Sequence, residues 1–217
     1  QISEEAKETI DASGHTVLPG CIDTQTHFRE PGSTDTEDLH SGSRAAIAGG
    51  ITSVFEMPNT NPPTSNKKEF QRKLDLAKNR MYCNYAFYFG ATADNADDLA
   101  SLKDLEGCCG IKLFAGSSTG NLLVAEEDDI DKVFQNASKV VAVHSEDEAI
   151  LKVNKQLIKQ GDVHTHPVWR SAECAISSTR RIVRIAEKYN KKAHVLHITT
   201  KEEIDFLSQH KGNITFE

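Results

Sequence analysis

Short apolar runs alternate with amphipathic stretches from about residue 16 to the end of the 217-residue chain, with a repeat of roughly 30 residues. A strand followed by a helix at that period is a βα unit, and successive units lay their strands parallel in one sheet. The apolar runs at 16–22, 52–57, 82–89, 108–114, 140–144, 193–198 and 214–216 are short and bounded by glycine or polar residues, as buried parallel strands are. The spacing predicts helices over 38–48, closed by Gly49 and Gly50, and over 67–79, 96–105, 128–137, 146–159, 172–189 and 201–210. Segments 115–125 and 161–171 are longer loops, where such scaffolds usually handle ligands.

Right-handed βα crossovers build either an open doubly wound sheet or a closed barrel, and the period alone does not choose. Polar residues do. Gln25 and His27 follow the first run, Asn59 the second, Lys112 lies in the fourth, His144 ends the fifth and His197 the sixth. An open sheet gathers its ligand at one switch point, whereas a barrel aims every strand end at one mouth, so this scatter favours a TIM-like (β/α)8 barrel. Such a barrel needs eight strands in about 250 residues. About seven are found, which predicts an incomplete barrel over 16–217, with 1–15 as the tail of an N-terminal β-sandwich segment.

A net charge of -7 argues against nucleic acid or anionic membrane as partners. No apolar run approaches the ~20 residues of a membrane span, and the polar N-terminus does not read as a secretory leader. A cytoplasmic protein is expected, and the five cysteines, without CxxC spacing, read as buried thiols in a reducing compartment.

The recurrence of imidazoles at strand ends carries the chemistry. Gln25 and His27 are two apart and face one ligand if the strand continues through them. His27, His144 and His197 together make a metal site, and their wide separation suits a barrel mouth and not a zinc finger. A single exposed loop histidine remains the alternative for each taken alone. His194 is read as facing the helices, and His15, His40, His164, His166 and His210 as ordinary polar side chains. Lys112 lies among apolar neighbours in GIKLF, where a bare ammonium is expensive. Either it snorkels to water, or it is carboxylated by carbon dioxide, giving an anion able to bridge two cations. Arg29 offers a planar fork for a carboxylate, with the Asn59 amide beside it; the alternatives are a salt bridge to Glu30 and an Asx turn.

The stretches VLPGCIDTQTHFREPG (17–32), AGGIT (48–52), MPNTNPP (57–63), GIKLFAGSSTGN (110–121), AVHSED (142–147) and HVLHIT (194–199) occur in that order, and together they resemble the dihydroorotase family of the amidohydrolase superfamily. The resemblance implies a zinc-dependent enzyme interconverting dihydroorotate and N-carbamoyl-aspartate in de novo pyrimidine biosynthesis. It implies His27, carboxylated Lys112, His144 and His197 as ligands of one or two zinc ions, Arg29 and Asn59 as the grip on the substrate carboxylate, and a general acid/base aspartate beyond Glu217. A homodimer and aspartate transcarbamoylase are the protein partners it points to. One departure is Gln25, where the family usually places the first His of a His-x-His pair; its neutral amide is at most a weak ligand. Alternatives are an allantoinase- or dihydropyrimidinase-like hydrolase, and a non-catalytic scaffold for aspartate transcarbamoylase. The chain alone is expected to be inactive.

Overall fold

The computed structural model describes residues 6–118 and 120–217. Seven parallel strands form one sheet in chain order: β1 (Cys21–Thr26), β2 (Ile51–Glu56), β3 (Asn84–Gly90), β4 (Cys108–Phe114), β5 (Val141–His144), β6 (Ala193–Val195) and β7 (Ile214–Phe216). The helices are α1 (Leu39–Ala48), α2 (Lys67–Ala77), α3 (Glu127–Asn136), α4 (Glu148–Asn154), α5 (His166–Trp169), α6 (Ala172–Lys188) and α7 (Lys201–Leu207), with a 3₁₀ segment Ala96–Leu102 linking β3 to β4. The sheet curls until its first and last strands approach: Thr24 Oγ1 donates to Glu217 Oε2 at 3.1 Å. This is a (β/α)8 barrel short of one strand, as expected.

Strand parity divides the apolar residues into two layers. Val54, Phe87, Phe89, Ile111, Leu113, Val141, Val143 and Val195 point outward and are buried against Phe70 of α2, Phe134 of α3, Ile182 of α6 and Leu207 of α7. Met57, Tyr88, Ala142 and Leu196 fill the interior. Helix starts are capped by Asp38, Asn66, Asp147, Ser171 and Thr200, each accepting a backbone N–H of the first turn. No described helix is long and apolar enough to cross a membrane.

Four expectations are corrected. The first strand is not at 16–22: Val17 and Leu18 are exposed, and pairing begins only at Cys21, opposite Ile51. Pro19 has no N–H to give a ladder, and the first bond to the neighbouring strand is the one the Cys21 N–H donates to the Gly50 carbonyl at 3.0 Å, so partner availability overrides hydrophobicity. Apart from these four, positions 1–5 of the expected 1–15 tail lie outside the described residues, and 6–15 form no strand. The helix expected over 146–159 is α4 plus a 3₁₀ turn, Lys155–Leu157, and Ile158 is extended. His194 faces the barrel interior, since its neighbours Ala193 and Val195 are both in the helix-facing layer. Strand parity counted back from His197, three residues on, would turn His194 to the helices, but His197 has φ 44 and has left strand geometry. Of the cysteines, Cys21 is exposed and Cys109 half-buried; the other three are buried.

Candidate active site

The segment after β1 is fixed from beneath. Phe28 is buried, its ring against α1 at Gly42, where a Cβ would come within 2.5 Å of it. Glu30, also buried, accepts from both Arg80 terminal nitrogens at 2.7 and 3.1 Å and from the Leu39 N–H at 2.8 Å. Glu30 is therefore committed to Arg80, and the Arg29–Glu30 salt bridge is not formed. With its neighbours on both sides held, Arg29 sits at φ 57, strained for a non-glycine residue. Together with Asn59, Ser33, Thr36, Thr60 and Asn61 it lines a cleft of about 340 Å³. The loop bearing Asn59 is tied down in turn: buried Lys73 of α2 pairs with Glu56 at the end of β2 and donates to the Met57 carbonyl at 2.9 Å.

His27 hydrogen-bonds the Asn59 side chain. Burial, with the positive charges of Arg29 and Lys112 nearby, lowers its pKa to about 4. Gln25, two residues earlier and half-buried, lies inside β1 and not after it.

Lys112 points into the barrel from β4, 1% exposed. Its Nζ has no hydrogen-bond partner among the described residues and lies 4.5 Å from the centre of the Phe114 ring. Burial pushes its pKa well below the ordinary value. The snorkelling alternative does not hold.

His144 and His197 meet at the ends of β5 and β6. His144 Nδ1 and His197 Nε2 are 3.2 Å apart, and the rings stand edge to face. His144 Nε2 lies 2.7 Å from Glu146 Oε2, and Arg170 holds the same carboxylate while donating to the Ser117 carbonyl at 2.9 Å. Gly116 lets this segment approach, since a Cβ there would stand 2.7 Å from the Glu146 Cβ. A carboxylate at Nε2 favours the tautomer with the proton on that nitrogen, leaving the Nδ1 lone pair turned towards His197. Burial, then the charges of His144 and Lys112, lowers the His197 pKa to about 4. Over this pair opens a cavity of about 780 Å³, walled by His166, Pro167 and Arg170 from the 161–171 loop and by Glu203. Glu203 is itself held by Thr179 and Thr200 at 2.7 and 2.8 Å.

The four predicted ligand positions thus behave unequally. His144 and His197 touch, while His27 and His197 both feel the charge of Lys112. Among the described residues no three His, Cys, Asp or Glu side chains form a ready metal cluster. The residues nevertheless fit zinc. The two nitrogens are separated by nearly the ~3.3 Å that two ligands of a tetrahedral ion at about 2.0–2.1 Å require. His27 and His197 stay neutral at physiological pH, the state that binds cations. The unpartnered Lys112 nitrogen is where a carboxyl group would add the bridging oxygens.

Sequence reasoning passed over Glu146 and Arg170. The signal for Glu146 was its two-residue spacing from His144, the same spacing used for Gln25 and His27; nothing local marks Arg170.

The depressed histidines give a pH prediction for the metal-free protein. Unfolded, each imidazole takes up a proton near 6.5; folded, only near 4. The unfolded state binds more protons between those values, so stability is full above about pH 6.5 and is lost as pH falls towards 4. Thermal melts of chelator-treated protein should show this decline, and His27→Asn with His197→Asn should flatten it. An equally steep decline in the double variant would locate the effect elsewhere.

Residues 16–217 match the Amidohydrolase family. The chain belongs to the amidohydrolase family. The dihydroorotase of Methanosarcina mazei is 35% identical over 206 residues, which cover 93% of this amidohydrolase chain and 45% of that protein. The allantoinase of Salmonella choleraesuis is 31% identical over 214 residues, covering 93% and 47%. The solved L-hydantoinase (dihydropyrimidinase) of Arthrobacter aurescens superposes with a TM-score of 0.87 at 26% identity, over 95% of this chain and 47% of that one. The chain thus spans about half the length of the relatives it matches.

Proposed function

We propose that the protein is a zinc-dependent cyclic amide hydrolase, a dihydroorotase interconverting dihydroorotate and N-carbamoyl-aspartate in pyrimidine biosynthesis. The observation that carries the metal reading is the buried, partnerless Lys112 nitrogen beside two neutral imidazoles at the mouth of an amidohydrolase barrel. His27, His144, His197 and a carboxylated Lys112 would hold the metal. Bound zinc would supply Lewis acidity towards the ring carbonyl and activation of water near neutral pH. Glu146, steadied by Arg170, keeps the His144 proton on Nε2 and its lone pair on Nδ1. Gln25 is the weakest member of the set, and it is the feature that favours a second reading, a non-catalytic scaffold for aspartate transcarbamoylase.

The choice of substrate rests on Arg29. Its guanidinium has no carboxylate partner among the ion pairs of the described residues and opens on a polar cleft, an arrangement suited to a substrate carboxylate. Dihydroorotate carries one and allantoin does not.

The test is ring opening by the purified full-length protein with zinc present. Turnover of dihydroorotate with one or two zinc ions per chain supports the proposal. Turnover of allantoin alone would replace the substrate, and zinc-free protein without activity would favour the scaffold. Arg29→Lys should raise KM for dihydroorotate roughly tenfold with little change in kcat, because a point charge replaces a bidentate fork. An unchanged KM would make Arg29 structural.

A further inference from the structure

At the opposite end of the sheet from the imidazoles, a second cleft of about 540 Å³ is lined by Lys103, Lys139, Lys191 and Lys192, with Asn190 and Cys109 among its other walls. The lysines come from three separate connections: the turn after the 3₁₀ segment, the α3–β5 loop and the α6–β6 loop. No carboxylate lines the cleft, and none of the four enters an ion pair among the described residues. That concentration stands out in a chain with 32 acidic residues and a net charge of -7.

The lysines are not simply splayed into water. Lys191 Nζ is fixed on the Ala137 carbonyl at 2.7 Å, and the charge of Lys139 is felt by the thiols of buried Cys108 and half-buried Cys109. Asn190, in the left-handed region at φ 49, has its side-chain oxygen occupied by Asn213 at 2.7 Å, which leaves its NH₂ to donate. Four lysines on one concavity, with no carboxylate among its lining residues, give it a positive field that a bound anion would offset. A single carboxylate offsets one of them; a phosphoryl group carries nearly two charges and three acceptor oxygens, and lysine binds it as a point charge. The cleft volume falls within the range of small-molecule sites.

We propose that this cleft on the N-terminal face of the barrel binds a small phosphorylated metabolite, independently of the hydrolase site. The probe is inorganic phosphate, titrated into the zinc-loaded full-length protein and followed by ³¹P line width, with succinate as a dicarboxylate control. Saturable binding that weakens at least about tenfold in Lys139→Glu and in Lys192→Glu is expected. Lys68→Glu, an exposed change on α2 outside the cleft, should leave it intact. The paired Lys139→Gln, Lys192→Gln variant, with its melting temperature checked, reports the same loss if charge reversal disturbs folding. Absence of saturable binding, binding indifferent to these lysines, or binding lost only in Arg29→Ala would overturn the proposal. Succinate competing as well as phosphate would overturn the phosphoryl assignment.

Discussion

Replacing Lys112 with methionine is expected to stabilise the metal-free protein while abolishing hydrolysis. The two effects have opposite signs because they arise from one cause. Lys112 is buried on β4 with no hydrogen-bond partner among the described residues, and its pKa is pushed well below 10.5 by burial. Between that lowered value and 10.5 the unfolded chain binds a proton that the folded chain releases, which disfavours folding. Methionine has nearly the same length, buries no charge, and places its sulfur near the Phe114 ring, over which the ammonium now lies at 4.5 Å. Removing an unsatisfied polar group of this kind stabilises by about 1–3 kcal/mol, and each kcal/mol raises the melting temperature about 2–4 °C at this size. The gap between variant and parent should narrow as pH rises towards 10.5, where the unfolded lysine also loses its proton. Methionine offers no nitrogen for carboxylation, so zinc content and turnover should both collapse. Calorimetric melts of chelator-treated protein, with metal analysis, check both halves; a lower melting temperature with activity retained would mean that Lys112 is an ordinary packing residue.

His144→Ala should remove zinc and activity together with little effect on the metal-free fold. The side chain stands at the end of β5 beyond the packed Val141 and Val143, and is itself partly exposed, so its truncation opens no core cavity. What it takes away is the nitrogen facing His197 at 3.2 Å. Changes in groups that only support metal ligands cost roughly 10–100-fold in activity or affinity, and loss of a ligand should exceed that. Melting of the chelated variant should stay within about 1 kcal/mol of the parent. Full zinc occupancy and normal turnover in this variant would remove His144 from the site.

The strand rhythm was legible because parallel strands covered on both faces read as continuous apolar runs, and β2 to β5 are such runs. β1 was not, since CIDTQT is polar at four of six positions and its place is set by where Ile51 offers a backbone. Lys112, His144 and His197 were found because each interrupts or ends an apolar run, and His27 by its two-residue spacing from Gln25 after the first run, all local signals. The Glu146–Arg170 pair spans 24 residues and is made by the folding of the 161–171 loop over β5, a tertiary event without a local signature. His194 was misassigned because alternation was extended through a residue whose backbone had turned out of the strand. Strand parity is trustworthy only within the hydrogen-bonded ladder, and the functional residues of a barrel lie where that ladder stops.

The central claim is a shared cation. Diffraction from zinc-loaded crystals, recorded on both sides of the zinc absorption edge, locates that cation without assumptions about activity. An anomalous peak is expected between His144 Nδ1 and His197 Nε2, within bonding distance of both, with His27 and Lys112 around it. A peak elsewhere in a fully loaded protein, or no peak near those imidazoles, would contradict it.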